Sequence, residues 1–241
     1  MTRCRQISEE ACGATALLCA ANELGVDNMP TTQILAQRGV DEHLYGSLYR
    51  VGVEGQPLMS VPQDGFARSD LSEALYSVTA ARQINGNGDG YSLPQGIARC
   101  VRYLGLHCVV RYESLQMVGT LIDQIHKEYN VNVLQQLLSD RVTVEIPFPN
   151  HQPAYWENIG NNWRSIEVVI PKLAYVPIGL HYVLRRPNTV GPPYYMDPAT
   201  GKDYDNFGSM SPGAVFNSPL ARASAWYEKT GISIFVTPVN F

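Results

Sequence analysis

No apolar run in this chain approaches the roughly 18 residues that a membrane-spanning helix needs. The opening segment MTRCRQISEE likewise lacks the apolar core of a secretory signal. The expectation is a soluble protein that does not insert in a membrane and does not leave the cell by the general secretory route. Basic clusters are missing as well. Arg185–Arg186 is the only adjacent basic pair and reads as the solvated end of a strand, and a net charge of −4 argues against nucleic acid as a partner. Cysteine is sparse and irregularly spaced. Cys4, Cys12, Cys19, Cys100 and Cys108 make an odd total of 5, which excludes a regular disulfide framework and fits a reducing compartment. No metal-ligand spacing is present: His107 and Cys108 adjoin on a predicted strand and point to opposite faces, while His43, His126 and His151 lie in separate segments. The run NGNGDG lacks the repeated acidic ligands and terminal Glu of a calcium loop and reads as a flexible turn. There is no internal repeat or low-complexity tract, and the sequence calls for no metal and no cofactor.

What is present is enough to build a sizeable core. A chain of 241 residues that is 45% hydrophobic can form one large domain or a two-lobed one. Near its start, Ala14, Leu17, Leu18, Ala21 and Leu24 recur at the spacing of one helical face, with Gly25 placed to stop the helix. Cys12 then stands at the helix N-terminus, where unpaired N–H groups and the helix dipole favour a thiolate. The same N–H groups can hold an oxyanion. Gln6, six positions earlier, offers its side-chain amide as a further donor, and one missing donor in such a site costs about 10²–10³ in rate. A cysteine in an apolar helix serves packing unless a partner activates it. Cys4, the rival by position, has neither a following helix nor a preceding glutamine.

The partner lies far downstream. Residues 175–186 read as a strand rich in aromatic and branched residues, 187–193 as a turn, and 194–197 as a returning strand closed by the turn 198–201. His181 and Asp197 are equidistant from Thr189, so a hairpin symmetric about that point sets them face to face, roughly 5 Å apart at Cβ. Asp197 would then fix the imidazole tautomer and leave the other ring nitrogen to take the thiol proton.

Gln, Cys, His and Asp thus occur in chain order, each in the local structure its role requires. The segments QISEEACGATAL, GLHYVLRR and YYMDPATGKD resemble the papain-like cysteine peptidases, most of all the bacterial branch that includes the double-glycine-leader peptidase domains of bacteriocin exporters. The resemblance implies Cys12 as nucleophile, His181 as general base and acid, Asp197 as the residue that orients it, and Gln6 as oxyanion donor. It also implies an α+β, two-lobed fold with the site in the cleft between lobes.

The order of predicted elements agrees. A helix on Ile97, Val101 and Leu104 ends at Gly105 and runs into a short strand. Residues 114–140 supply one or two more helices, and 141–148 alternate like a strand. One papain-like domain over 1–241 is expected, with 1–140 mainly helical and 141–241 mainly sheet. Residues 41–90 and 149–162, rich in Gly, Asn and Pro, read as surplus loops beside the cleft. The chemistry implied is acyl transfer through an acyl-enzyme, with a protein or peptide as substrate. Peptide hydrolysis is the first reading. Glutamine deamidation or transamidation by the same residues, and a non-catalytic binding module on the same scaffold, remain open. With no pro-region before Cys12, a bacterial effector or toxin is a further expectation. It would be cytoplasmic in the producing cell or delivered by a dedicated secretion system, and held in check by a cognate inhibitor or immunity protein.

Overall fold

In the computed structural model the described residues are 1–40, 52–59, 67–80, 90, 92–112, 143–145, 160–177, 179–187, 194–212 and 224–239. The architecture is α+β. Helix α1 (Cys12–Glu23) is followed by α2 (Thr32–Gln37), α3 (Ser69–Thr79) and α4 (Pro94–Tyr103). Strands β1 (Leu106–Tyr112), β2 (Thr143–Glu145), β3 (Arg164–Leu173), β4 (Val176–Pro177), β5 (His181–Arg186), β6 (Tyr194–Asp197), β7 (Lys202–Tyr204) and β8 (Ala225–Pro238) form one sheet, ordered β2-β1-β8-β3-β5-β6-β7 with β4 also on β3. Apart from the parallel β1–β2 pair, the strand pairs described are antiparallel. Strand β1 falls within the stretch expected to be mainly helical, yet it pairs along its length with β8.

Helix α1 is the hub. Its residues from Cys12 to Ala21 are all buried, so the single apolar face read from the sequence is too narrow. Small residues (Gly13, Ala14, Ala16, Ala20, Ala21) let α3, α4 and the sheet close on the helix from several sides. Gly25, at φ 90°, ends it in the left-handed conformation glycine tolerates. The buried Leu17 and Leu18 each contribute roughly 1.5–3 kcal/mol of apolar burial. Thr15 stays in this apolar setting because its hydroxyl bonds Ala11 O at 2.9 Å and Ser72 Oγ at 2.5 Å.

The structure departs from the expected pattern in three places. Residues 175–186 are two strands, because the chain turns sharply at Ala174 and Tyr175 (φ 47° and 71°) and β4 pairs back along β3 before β5 begins at His181. Helix α3 lies inside the stretch taken for loop; Leu71, Leu75 and Val78, all buried, carried a helical spacing that the flanking Gly and Pro obscured. Arg186 is 2% exposed rather than solvated: its guanidinium donates to Glu23 (2.9 and 3.1 Å), to Asp203 (2.6 Å) and to Thr2 O (2.6 Å). Those acceptors satisfy the charge that burial would otherwise penalise. Of the strand expected over 141–148, residues 143–145 are described. The predicted helices of 114–140, residues 85–89 of the NGNGDG turn and most of the 149–162 loop lie outside the described residues. No described helix is long and apolar enough to cross a membrane.

Candidate active site

Three elements meet around Cys12. Helix α1 begins at this residue, its N-cap is Ala11, and no side chain caps it, so first-turn N–H groups are left for another acceptor. Gly13 allows the close approach of the neighbours. A Cβ there would sit 2.8 Å from Ile97 Cδ1, 3.0 Å from Ser92 Cβ and 3.1 Å from Tyr182 Cδ2. Ser92 is itself fixed, its carbonyl accepting from Tyr182 OH at 2.7 Å and its hydroxyl paired with Thr79 Oγ1 at 2.7 Å. The start of α4 and strand β5 are thereby locked against the first turn of α1, with His181 next in chain to Tyr182.

His181 opens β5 and is buried. Its Nε2 lies 2.8 Å from Asp197 Oδ1, which leaves the other ring nitrogen, Nδ1, free of the aspartate, and Cys12 is near enough for its charge to act on the ring. The route to the Asp197 contact differs from the symmetric hairpin. Leu184 pairs with Met196 and Arg186 with Tyr194, so the ladder would set Asp197 opposite Val183, two residues beyond His181. A slip of two keeps both side chains on one face, and the contact becomes a diagonal one.

Asp197 is fully buried and its carboxylate accepts three hydrogen bonds. Oδ1 takes His181 and the Ala199 N–H (2.9 Å), and Oδ2 takes the Tyr227 hydroxyl (3.0 Å). Burial works to raise its pKa, but the positive ring of His181 and these donors outweigh it and hold the carboxyl below its usual range. For His181 burial opposes the charged form, yet the neighbouring Cys12 and the Asp197 carboxylate, with the hydrogen bond to Asp197, raise the pKa to about 10. The imidazole therefore keeps its proton at neutral pH. The other four cysteines are all pushed upward by burial, Cys100 and Cys108 to about 12. All five are free thiols. Among the described residues no group of His, Cys, Asp and Glu is arranged to hold a metal ion.

Gln6 reaches the site by its backbone. Its N–H donates to Pro198 O at 3.0 Å, tying the loop before α1 to the turn after Asp197. Its side-chain nitrogen donates within that loop, to Glu9 O at 2.6 Å and Ser8 O at 3.1 Å, and its buried Oε1 has no partner. The loop is braced from α3, where Glu73 accepts from Ser8 N (3.0 Å) and Ser8 Oγ (2.5 Å). Sequence reasoning missed Tyr227. It sits 30 positions beyond Asp197, on a strand whose place beside β3 no local pattern discloses.

Comparison with known proteins agrees with this chemistry. Residues 4–238 match the family described as invasion plasmid antigen J, cysteine protease. The chain belongs to the IpaJ cysteine protease family. Its similarity to the cysteine protease IpaJ of Shigella flexneri is 30% identity over 243 residues, covering 97% of this chain and 77% of that protein. No solved structure matches. The chain is accordingly a cysteine peptidase of the papain-like superfamily. The short motifs pointed to the leader-peptidase branch, while the family that matches over nearly the whole length is IpaJ. Cys12, His181, Asp197 and Gln6 all fall within the matched residues.

Proposed function

We propose that Cys12 is the nucleophile, His181 the general base and acid, and Asp197 the residue that orients and charges the imidazole, in a peptidase that works through an acyl-enzyme. The observation that carries this reading is the buried His181–Asp197 hydrogen bond at 2.8 Å, with Cys12 at the start of α1 near enough to act on the same ring. The Cys12 sulfur attacks the substrate carbonyl, and His181 gives its proton to the departing amine. It then takes a proton from the water that releases the acyl group. The first-turn N–H groups of α1 hold the oxyanion. Gln6 joins them by giving up its longer bond, to Ser8 O at 3.1 Å, when substrate arrives.

The wider arrangement belongs to the same proposal. The chain is one papain-like domain whose mainly helical part, 1–140, meets the mainly sheet part, 141–241, at a cleft holding these residues. Membership of a family described as an invasion plasmid antigen supports a bacterial effector delivered to another cell, with a host protein as substrate; an inhibitor or immunity protein in the producing cell is a partner this reading adds.

The test compares wild type with Cys12→Ala in a host-cell lysate by labelling newly formed protein N-termini. New termini with wild type alone are expected. Glutamine residues converted to glutamate without new termini would make the protein a deamidase, and neither change would remove the catalytic reading.

A further inference from the structure

We propose that Tyr227 is a positioning residue of this site, a phenol on β8 that holds Asp197 and His181 in one fixed arrangement. Two separate contacts carry the assignment. The hydroxyl donates to Asp197 Oδ2 at 3.0 Å, and the ring lies nearly parallel to the imidazole, with centroids 5.3 Å apart and planes inclined by 13°. Tyr227 is 6% exposed, so the phenol donor and the carboxylate meet away from water, where an unmade bond is costly. With Oδ2 engaged by the tyrosine and Oδ1 by the Ala199 N–H, the carboxylate cannot rotate about its last torsion, and Oδ1 stays toward His181 Nε2. The stacked ring limits rotation of the imidazole on one face and keeps water from that face.

The topology explains why a residue so far along the chain does this. Along the ladder, His181 is opposite Val169 and Val169 is opposite Lys229, which places Tyr227 two residues on and on the same face. Val169, Val183, Tyr195, Met210 and Tyr227 form a small core of their own on this face, and the tyrosine is the member with a polar end toward the site. Burial and the charge of Asp197 both push its phenol far above the usual range, so it remains a donor at all working pH values. Cys12 acts in the same direction, so the phenol lies near that residue as well as Asp197.

The proposal rests on the catalytic reading for its consequence but is tested without a substrate. In protein carrying 15N-labelled histidine, the His181 Nε2–H proton is followed by NMR against pH. Tyr227→Phe leaves Oδ2 buried and unpaired, which makes Asp197 easier to protonate, so the signal is lost at a higher pH on the acid side than in wild type. Tyr227→Leu also removes the stacked ring, and exchange of this proton with water speeds up about tenfold, the equivalent of one ordinary hydrogen bond. On an Asp197→Ala background, Tyr227→Phe has no further effect on the His181 titration, because the tyrosine acts through the carboxylate.

In the unaltered protein, 13C-labelled Tyr227 fails to ionise near pH 10, where solvent-exposed tyrosines titrate. That measurement decides the matter if a variant does not fold. A wild-type His181 profile in Tyr227→Phe, an equal effect with and without Asp197, or ordinary ionisation of Tyr227 would each overturn the assignment. Failure of the catalytic reading looks different: Cys12 would react with iodoacetamide no faster in wild type than in His181→Ala, whatever the NMR of Tyr227 shows.

Discussion

Replacing Asp197 with asparagine separates charge from geometry at this site. Both donors to Oδ1, His181 Nε2 and the Ala199 N–H, require an acceptor there, so the asparagine carbonyl takes that place and its NH2 falls where Oδ2 was. Tyr227 then turns its hydroxyl from donor to acceptor. Every hydrogen bond is kept, and only the negative charge is lost. A bond to a charged acceptor is worth about 1.5–3 kcal/mol net and one between neutral groups about 0.5–1.5. The loss is therefore about 1.4 kcal/mol, or one pH unit in the titration of the ring. The His181 midpoint, about 10 in wild type, falls because a negative charge that favoured imidazolium is gone. A midpoint near 9 still leaves about 99% of the ring protonated at pH 7, so alkylation of Cys12 by iodoacetamide at that pH changes less than about threefold. Histidine NMR gives the midpoint, and mass spectrometry of the alkylated peptide gives the rate. An unchanged midpoint would refute the electrostatic account. Alkylation as slow as in His181→Ala would refute the claim that geometry survives.

Other expectations concern the scaffold. Arg186→Met strands Glu23 and Asp203, which keep Arg164 and Arg3 as partial compensation. We expect a loss of about 3 kcal/mol in urea denaturation and a drop of roughly 6–12 °C in Tm. Arg3→Ala removes the half-exposed cation from the same Asp203 and costs about 0–1 kcal/mol; equal losses for the two variants would contradict the burial argument. Gly13→Ala gains about 1 kcal/mol of helix propensity but forces a methyl against Ile97, Ser92 and Tyr182, at about 1–3 kcal/mol. A net destabilisation of about 1 kcal/mol is expected, with slower alkylation of Cys12 because Tyr182 adjoins His181. A more stable variant with wild-type alkylation would show that the first turn of α1 has room to spare.

The reading from sequence succeeded where information is local. Helix α1 from Cys12, its stop at Gly25, the helix and strand over 94–112 and the strand 194–197 all follow from spacing and from glycine placement. The His181–Asp197 contact was foreseen by an argument whose register was off by two residues, and it survived because an even slip preserves the face. What escaped depends on long-range pairing. The burial of Arg186 is set by Glu23 and Thr2, and Tyr227 gains its partners only because β8 lies beside β3. The sharp turn at Ala174 and Tyr175 gave no signal, since neither residue is one that positive φ selects.

The strand order has a kinetic consequence. Strand β8 is the last of the described strands, yet it is hydrogen-bonded on both sides in the middle of the sheet, between β1 and β3. The Arg186–Thr2 contact likewise joins residues 184 positions apart. Loop closure on this scale must precede the contacts that reward it, so folding is slow and governed by topology. A chain still emerging from the ribosome carries Cys12 long before the strands that bring His181, Asp197 and Tyr227 to it. Cys12 is thus made well before β5, β6 and β8, and it meets the residues they carry only when the central gap in the sheet is filled.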